Sequence, residues 1–539
     1  MQHIGEQPAD VFKDVVIIGN GPSGISLSYL LSGKWPHYTG DPHPMDEMLS
    51  ARLQYSCSSV STQTSDDSSE DPDFGPCLAC SSGRREQLRD LSADLEGRNS
   101  GKPLSLLMDQ LQHPSLDAGL DVPPLVDWIG PRRHRRHKVV EHVVLGKGPP
   151  GGAWHALDPN VLTVSLSRWM SLPGLDLRDW QTNLDKKEKK KLLYSIEKTD
   201  VGMNYNLSRV PIGTVAAYYK DYVVKQGLEK YFRCGTIVTS VRPVPEIPKS
   251  IKEYGWLVQG YEIETGEKFQ YRCKRVVLAT GTTDLSNRLG VPGEDTYNWV
   301  THDFKDFERK LDRLNSPLRA GVQINDPDES GVEPVLVVGS GLSAADAIMA
   351  ARFRGVPVLH VFRRDQQQQQ NQGGSSGPRS PAKLQWLPSS IYPEYHEVYE
   401  MMGAERSRGY TLYRPLPDHR VCGFSLGSDS VARAKTRNVC LVTPSGRRVV
   451  YRVSLAAVLI GSKPDLSYLE NGGLGLGKNP EKPIDSRSNQ MDIDPLTYEV
   501  ERAPRPGLHA IGPLAGDNFV RFILGGAFGV LCHILNAPD

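Results

Sequence analysis

Two glycine-rich segments have residue types and a spacing that suit phosphate binding. They are Gly19-x-Gly21-x-x-Gly24 and Gly339-x-Gly341-x-x-Ala344. In such a segment the first glycine permits a tight turn, the second lets the backbone approach a pyrophosphate, and the third position lets a helix pack on a strand. An apolar run precedes each one, so both stand where a strand would pass into a helix. A single match arises by chance, but the pair predicts a flavoprotein that moves electrons between two dinucleotides.

The residues after the second segment indicate which nucleotide it would take. The apolar strand Val356–Phe362 ends in Arg363 and Arg364, where a carboxylate would hold an unphosphorylated ribose. Two guanidinium groups there suit the 2′-phosphate of NADP. A solvated basic strand end is the alternative, and Asp365 could pair with one arginine and weaken the preference.

The first segment lacks its usual ribose carboxylate. The second strand of that unit ends at residues 145–147, which are Leu, Gly and Lys. Asp41, Asp46 and Glu47 lie at the usual sequence distance, but in a Pro-rich stretch that cannot end a buried strand. We therefore expect the ribose of the nucleotide on this segment to be held by a different group, or to be held more weakly.

Near the end of the chain, Asp517 follows Gly516 in a turn ahead of a glycine-rich apolar helix that includes Gly525. A carboxylate at this place can accept hydrogen bonds from the ribityl chain of a flavin, while backbone N–H groups face its ring. A plain turn is the competing interpretation. No Ser/His/Asp arrangement or carboxylate pair is evident elsewhere, and a flavin would not require one.

These elements predict an α/β fold with two Rossmann-like domains, the NADP domain inserted in a split FAD domain. The run Val453–Gly461 is expected to return the chain to the first domain. The predicted ranges are 11–330 for the first part of the FAD domain (with an insertion at 34–137, disordered at 56–100), 331–451 for the NADP domain (with a low-complexity loop at 366–381), and 452–539 for the second part of the FAD domain.

Composition excludes several classes of function. The 539 residues include 63 Lys plus Arg and 63 Asp plus Glu, so no overall charge attracts nucleic acid or an anionic membrane. No window approaches the roughly 18 apolar residues of a membrane span. The eight cysteines are sparse and irregular, which favours free thiols in a reducing compartment. We expect a soluble protein with small-molecule or protein partners.

Two further patterns in the sequence each have a plainer explanation. Cys77 and Cys80 have redox spacing but lie in the polar insertion, far from a βαβ pattern, and chance is preferred; no metal site is expected. The basic runs Arg132–Lys138 and Lys186–Lys191 resemble targeting or anion-binding patches, and a solvated surface is preferred.

Several blocks over almost the whole chain resemble the oxidative stress-induced growth inhibitor family, within the flavin-containing monooxygenase superfamily. The blocks are Gly19-Asn-Gly-Pro-Ser-Gly24, Gly146-Lys-Gly-Pro-Pro-Gly-Gly-Ala-Trp-His155, Gly341-Leu-Ser-Ala-Ala-Asp346, Tyr392-Pro-Glu-Tyr-His396 and Gly512-Pro-Leu-Ala-Gly-Asp-Asn-Phe-Val-Arg-Phe522. The run Pro149-Pro150 favours the second member of the family. The polar insertion, the glutamine run and the missing carboxylate depart from the monooxygenase pattern.

The resemblance implies FAD, NADPH, O2 and a small-molecule substrate, together with a role in growth control, differentiation and cytokinesis through regulatory protein partners. A cytoplasmic location is implied, with the nucleus or midbody as alternatives. The residues that it assigns are Gly151, Gly152 and Trp154 near the isoalloxazine, Thr280 and Gly281 near the interdomain crevice, and Asp517 on the ribityl chain.

The leading hypothesis is an NADPH-dependent flavin monooxygenase that transfers oxygen from a flavin C4a-hydroperoxide. Trp154, Phe519 and Phe522 could supply apolar walls that exclude water, and core packing is their competing explanation. The alternatives are a non-catalytic regulatory protein on a flavoprotein fold and an uncoupled NADPH oxidase.

Overall fold

In a computed structural model the chain forms two compact units, Met1–Asp284 with Pro464–Asp539, and Leu285–Lys463. The structure describes residues 9–61, 75–81, 85–95, 102–115, 119, 122–184, 209–244, 254–314, 333–364, 387, 389–403, 412–429 and 434–536. The lysine-rich run 186–191, the loop 366–381 and Asp365 lie outside these ranges.

The elements are numbered along the chain. Those before residue 285 are β1 (Asp10–Ile18), α1 (Pro22–Leu31), β2 (Trp35–Tyr38), α2 (Glu47–Ser61), α3 (Leu78–Ser81), α4 (Arg85–Leu91), α5 (Pro103–Gln112), β3 (Val126–Ile129), β4 (His142–Gly146), α6 (Leu177–Thr182), α7 (Ile212–Lys225), β5 (Phe232–Cys234), β6 (Thr236–Pro243), β7 (Trp256–Glu262) and β8 (Lys268–Leu278). Those of residues 285–463 are β9 (Leu285–Ser286), β10 (Val300–Thr301), α8 (Phe304–Leu311), β11 (Val335–Val338), α9 (Leu342–Phe353), β12 (Val358–Phe362), α10 (Pro393–Gly403), β13 (Tyr413–Pro417), β14 (Arg420–Asp429), β15 (Ala434–Val442), β16 (Arg448–Arg452), β17 (Leu455–Val458) and β18 (Ser462–Lys463). The last stretch adds β19 (Leu508–Ala510) and α11 (Ile523–Asn536).

The first unit is built on a mixed sheet in the order β5-β4-β1-β8-β7-β6, with β19 also paired to β8. The long strand β8 pairs antiparallel with β7 along its first half and parallel with β19 along its last three residues. Strands β5, β4, β1, β8 and β19 thus form the parallel sheet that the Rossmann prediction requires.

The last four residues of strand β1 are buried on both faces, which explains their continuous apolar run. Val15 and Ile17 face a core with helices α1, α5, α7 and α11, whereas Val16 and Ile18 face a second core beneath the sheet. The spacing of apolar residues between Ile212 and Gly227 predicts a helix, and α7 confirms that prediction. The five residues of its predicted apolar stripe are all buried: Val215, Tyr218, Tyr219, Tyr222 and Val223.

The second unit contains the parallel sheet β10-β17-β11-β12-β13 and the antiparallel sheet β14-β15-β16. Strand β17 pairs with β11 from Val335↔Leu455 to Val338↔Val458. The expectation that Val453–Gly461 returns to the first unit is therefore wrong. An apolar run that ends in glycine specifies a buried parallel strand but not the sheet that it joins. The unit also begins at Leu285, earlier than the predicted range 331–451.

The predicted disorder of residues 56–100 also needs correction. Residues 75–81 and 85–95 hold helices α3 and α4, whose Leu78, Leu88 and Leu91 are each at most 4% exposed. These leucines join the main core through their helical positions, although the average composition of the segment is polar. Residues 62–74 lie outside the described part of the chain.

A buried ion pair fastens the start of α11 to α5. The Arg521 guanidinium binds both carboxylate oxygens of Asp109, with Nε to Oδ1 at 2.9 Å, and the two side chains are 8% and 2% exposed. The guanidinium also lies 4.5 Å from the Trp169 ring centroid. Losing one partner of such a pair leaves an uncompensated buried charge.

No helix among the described residues is long and apolar enough to cross a membrane.

We expect Asp109→Ala to lower the free energy of unfolding by about 3 to 5 kcal/mol, because Arg521 stays buried without its counter-ion. Asp492→Ala is the matched control, since Asp492 and Arg502 are 29% and 44% exposed and such a pair contributes under about 1 kcal/mol. Urea unfolding followed by circular dichroism measures both. Equal midpoints for the two variants would contradict the expectation.

Candidate functional site

The predicted site residues of the first unit follow the carboxyl ends of neighbouring parallel strands. This is the edge at which open α/β sheets bind ligands. Gly19 and Gly21 follow β1, Gly151 and Gly152 follow β4, Thr280 and Gly281 follow β8, and the turn from Gly512 to Asp517 follows β19.

Gly19 is where these strand ends meet. Its φ is +110°, and a Cβ at this position would lie 2.3 Å from the carbonyl oxygen of Ala279. Its N–H donates to Leu145 O at 2.8 Å, and the Ala279 N–H donates to Ile18 O at 2.8 Å. Only glycine tolerates both the left-handed backbone and this approach. Gly24 is similarly confined, since its Cβ would lie 2.1 Å from Gly19 O.

Gly21, in contrast, faces open space, because a Cβ built on it meets nothing within 4 Å. The β4 turn comes to the same place. The Gly151 N–H donates to Asn20 O at 2.9 Å, and a Cβ on Gly152 would lie 3.1 Å from the Gly21 Cα. The N-terminus of α1 and the Gly151–Gly152 turn therefore form one backbone-lined surface, which suits a phosphate.

Asp517 is 5% exposed and is held by a polar network. Its Oδ1 accepts from Ser105 Oγ at 3.0 Å and from Lys102 Nζ at 3.2 Å, and Tyr498 Oη lies 2.8 Å from Ser105 Oγ. Its backbone N–H donates to Gly512 O, and Gly512 packs on Ser23 of α1. Asp517 thus lies at the same end of the sheet as the first glycine segment.

The second oxygen of this carboxylate has no partner. Asp517 Oδ2 is buried and makes no hydrogen bond within the described residues. Burial raises the pKa of Asp517, against the opposing effect of the Lys102 ammonium group. A buried acceptor left unpaired costs about 1 to 3 kcal/mol. A ligand hydroxyl group that donates a hydrogen bond to Oδ2 would remove that cost.

The usual ribose-carboxylate position is occupied by other groups. Strand β4 ends at Gly146, and a Cβ there would lie 2.1 Å from the Asn20 side-chain amide. The Asn20 Nδ2 donates to Gly148 O at 2.6 Å. Asp46, one of the three acidic candidates, instead accepts from the Leu49 N–H as helix α2 begins. An acidic residue at position 146 would collide with Asn20.

The other predicted residues differ in their surroundings. Thr280 Oγ1 lies 3.3 Å from Tyr468 Oη. The Trp154 ring is half-buried and packs edge-on to Tyr219 at 5.8 Å. Of the two phenylalanines proposed as walls, Phe522 is 7% exposed and stacks beneath Arg521, which favours core packing, whereas Phe519 is 43% exposed.

The second segment repeats the geometry in the second unit. Gly339 has φ +138°, and its Cβ would lie 2.2 Å from Leu459 O. Gly341 again meets nothing within 4 Å, and Ala344 is buried where α9 packs on β11.

The two arginines that follow β12 are not equivalent. The Arg364 N–H and Nε both donate to Asp418, at 2.9 and 2.7 Å. Arg363 is exposed and makes no ion pair with the described residues. Asp418 holds its place by donating its own N–H to Phe362 O. Among the described residues, Arg363 is therefore the less engaged of the two arginines.

Comparison of the sequence with those of known proteins identifies the family of the chain. The chain is 37% identical to oxidative stress-induced growth inhibitor 1 of Mus musculus, over 97% of this chain and 95% of the relative. It is 37% identical to oxidative stress-induced growth inhibitor 2 of Homo sapiens, over 97% and 93%. The chain belongs to the oxidative stress-induced growth inhibitor family. The equal identities leave the preference for the second member a prediction.

A homologue of this growth inhibitor family from Caenorhabditis elegans, osgn-1, is 29% identical over 98% of the chain and 95% of its own length. No family model matches the chain. Among solved structures, the bacillithiol disulfide reductase Bdr of Bacillus cereus aligns at TM-score 0.48 and 14% identity, over 97% and 98% of the two chains. DfoA, a cadaverine monooxygenase from Erwinia amylovora bound to FAD, aligns at 0.48 and 11%, over 97% and 94%. At these values the likeness carries no inference about activity.

Sequence reasoning missed one residue that shapes the second glycine-rich segment. His360, 1% exposed on β12, lies with Nε2 2.6 Å from Gly339 O and Nδ1 2.7 Å from Tyr413 Oη. A carbonyl oxygen only accepts, so Nε2 carries the proton and Nδ1 accepts from tyrosine. A histidine within an apolar strand was the only available signal.

Burial lowers the pKa of His360 to about 4, so the folded chain keeps this ring neutral where an unfolded chain would bind a proton. The unfolded state then binds more protons between about pH 6.5 and pH 4, and stability falls as the pH falls through that window. We expect His360→Phe to have a lower free energy of unfolding than the unmodified chain at pH 7. The difference between the two free energies should narrow by up to about 3 kcal/mol by pH 4. Hydrogen exchange of the β11 and β12 amides measures both free energies. A difference that is constant with pH would contradict a neutral His360.

Proposed function

We propose that this chain is an FAD- and NADPH-dependent oxidoreductase of the monooxygenase type. One arrangement carries the proposal: the open backbone surface at Gly21 and the unpartnered Asp517 Oδ2 lie at the same end of one parallel sheet. A dinucleotide with a polyhydroxyl chain offers phosphates to the first and hydroxyl groups to the second. The residues present therefore fit FAD.

The chain's own residues would have separate tasks. The amides that follow Gly19 at the start of α1 would face the pyrophosphate, and the Gly151–Gly152 turn would lie beside it. Asp517 Oδ2 would accept from the ribityl chain, while Ser105 and Lys102 hold the carboxylate in place. When bound, a flavin supplies hydride acceptance and reaction with O2.

Exclusion of water is the other task that the protein must perform. Trp154 and Tyr219 form an aromatic wall next to the Gly151–Gly152 turn, and the exposed Phe519 offers a second apolar surface near Asp517. Apolar walls limit the entry of water that would divert a reactive intermediate into peroxide. A small-molecule substrate and O2 are the expected reactants.

For the second cofactor we propose NADPH on the Gly339 to Ala344 segment. Arg363 would pair with the 2′-phosphate, since Arg364 is engaged by Asp418. The relatives' names link the family to growth inhibition, and we propose that the redox activity serves growth control. Regulatory partners, roles in differentiation and cytokinesis, and a cytoplasmic, nuclear or midbody location belong to the same proposal.

The test is the absorption spectrum of the purified chain. We expect a flavin spectrum that NADPH bleaches without oxygen, and NADPH consumption with oxygen that yields an oxygenated product. A colourless protein that cannot be loaded with FAD would overturn the proposal. Peroxide equal to the NADPH consumed, whichever substrate is supplied, would identify an oxidase.

One observation favours a non-catalytic regulatory protein instead. Asn20 fills the position from which a carboxylate would hold the adenosine ribose, so FAD loses one anchor. A chain that takes up FAD only at high concentration and shows no reduction by NADPH would support that alternative.

Asp517→Asn tests the ribityl contact. The amide keeps the size of the side chain but has one acceptor oxygen in place of two, so we expect FAD to bind about tenfold more weakly. The exposed Glu481→Gln is the control and should bind FAD unchanged. Titration of the apoprotein followed by flavin fluorescence measures both, and unaltered binding by Asp517→Asn would remove Asp517 from the flavin site.

Arg363→Ala tests the cofactor preference. Loss of a charge-assisted contact should weaken the binding of NADPH by about tenfold and leave the binding of NADH unchanged. Arg364→Ala should have the smaller effect, since its guanidinium already binds Asp418, and the exposed Arg447→Ala should have none. Cofactor binding measured by calorimetry distinguishes these outcomes. Equal weakening of both cofactors by Arg363→Ala would refute the 2′-phosphate contact.

A further inference from the structure

Three histidines and a cysteine pair meet in the segment inserted between α1 and β4. His37 lies on β2, His134 and His137 lie in the turns between β3 and β4, and Cys77 and Cys80 lie at the start of α3. Metal-ligating atoms of the three histidines lie within 4.8 Å of one another, as do those of Cys77, Cys80 and His137. The two groups share His137.

The rings of His37 and His137 point their Nε2 atoms at each other, 3.0 Å apart. The opposite nitrogen of each ring faces backbone carbonyls. His37 Nδ1 lies 2.6 Å from Gly75 O, and His137 Nδ1 lies 3.0 Å from Ile129 O and 3.1 Å from Gly33 O. Carbonyl oxygens only accept, so both Nδ1 atoms carry the proton.

With both Nδ1 atoms protonated, the two Nε2 atoms face each other in a buried space and need either one further proton or a metal ion between them. His37 is 2% exposed and His137 is 6% exposed. Two imidazoles on one tetrahedral zinc, with bonds of 2.0 to 2.1 Å, would have nitrogens about 3.4 Å apart, close to the observed distance. Ligating histidines commonly donate the other N–H to a carbonyl, as both rings do.

The cysteines supply matching ligands. Cys77 is buried, and its Sγ accepts the Cys80 N–H at 3.3 Å, which holds the two cysteines together. The backbones of Cys77 and His37 form an isolated antiparallel bridge, which brings the sulfur to the histidine pair. Trp35 packs on His137 with ring centroids 4.4 Å apart.

We propose that Cys77, Cys80 and His137, whose ligating atoms lie within 4.8 Å of one another, bind one Zn²⁺ in a structural site. His37, whose Nε2 lies 3.0 Å from that of His137, would complete the ligand set, with His134 beside it. Two thiolates and two imidazoles are the ligand set that zinc takes in closed tetrahedral sites, which leave no position for a substrate. The metal would fasten α3 to β2 and to the turn before β4. It would thereby anchor the inserted segment without taking part in the redox chemistry.

From the sequence no metal site is expected, because no second Cys or His pair near Cys77 and Cys80 completes a zinc site. His134-x-x-His137 lies more than 50 residues later, within the basic run assigned to solvent, and His37 lies 40 residues earlier. The pairing of β2 with β3, together with the bridge between His37 and Cys77, brings the three segments together.

The test is the metal content of the full chain, purified without a polyhistidine tag and measured by mass spectrometry. We expect about one zinc per chain, falling to under about a tenth in Cys80→Ser and in His137→Ala. Cys422→Ser with Cys440→Ser is the matched control, because those sulfurs also lie close together, at 2.7 Å, yet have no histidine pair. The control should keep its zinc.

Cobalt substitution of the unmodified chain gives a readout that does not depend on how a variant folds. We expect thiolate-to-cobalt charge-transfer bands and tetrahedral ligand-field bands. A chain that binds no zinc or cobalt, or that carries a Cys77–Cys80 disulfide when freshly purified, would overturn the site. Loss of zinc in His134→Ala with retention in His37→Ala would overturn the assignment of His37.

Discussion

The close approach of the turn after β1 to the end of β8 governs the first unit. Gly19 can lie against the Ala279 carbonyl only because it lacks a side chain and has φ +110°. Hydrogen bonds from Gly19 to Leu145 and from Ala279 to Ile18 then align the ends of β4, β1 and β8. With these ends aligned, α1 begins over open space, and its first turn can face a ligand.

In the second unit a glycine makes the same close approach to a carbonyl, and a histidine adds a further hydrogen bond. Gly339 lies against the Leu459 carbonyl as Gly19 lies against Ala279. A buried neutral histidine, His360, also binds the Gly339 carbonyl from the neighbouring strand. The two units diverge where their second parallel strands end. β4 ends in a glycine covered by Asn20, and β12 ends in two arginines, one of which is engaged by Asp418. These strand ends would set the affinity and selectivity for each nucleotide.

The inserted segment contributes to the first unit rather than projecting from it. Its antiparallel strands β2 and β3 and its helix α5 pack into the main core, and Asp109 of α5 holds Arg521 at the start of α11. Ser105 and Lys102, also from this segment, hold the Asp517 carboxylate. The insertion therefore builds part of the proposed flavin site, and anchoring it by a metal would stabilise that site indirectly.

The sequence by itself determined the elements whose signals are local. Both strand–glycine–helix units and the helix from Ile212 follow from periodicity and glycine spacing over a few turns of chain. Tertiary structure decided which distant groups meet: Asp418 with Arg364, Asn20 over Gly146, the three histidines with the cysteine pair, and β17 beside β11. Within the part of the chain that the structure describes, it also left Asp517 Oδ2 unpaired. These contacts join residues tens to hundreds of positions apart. They depend on strand order and register, which a local pattern of residue types does not specify.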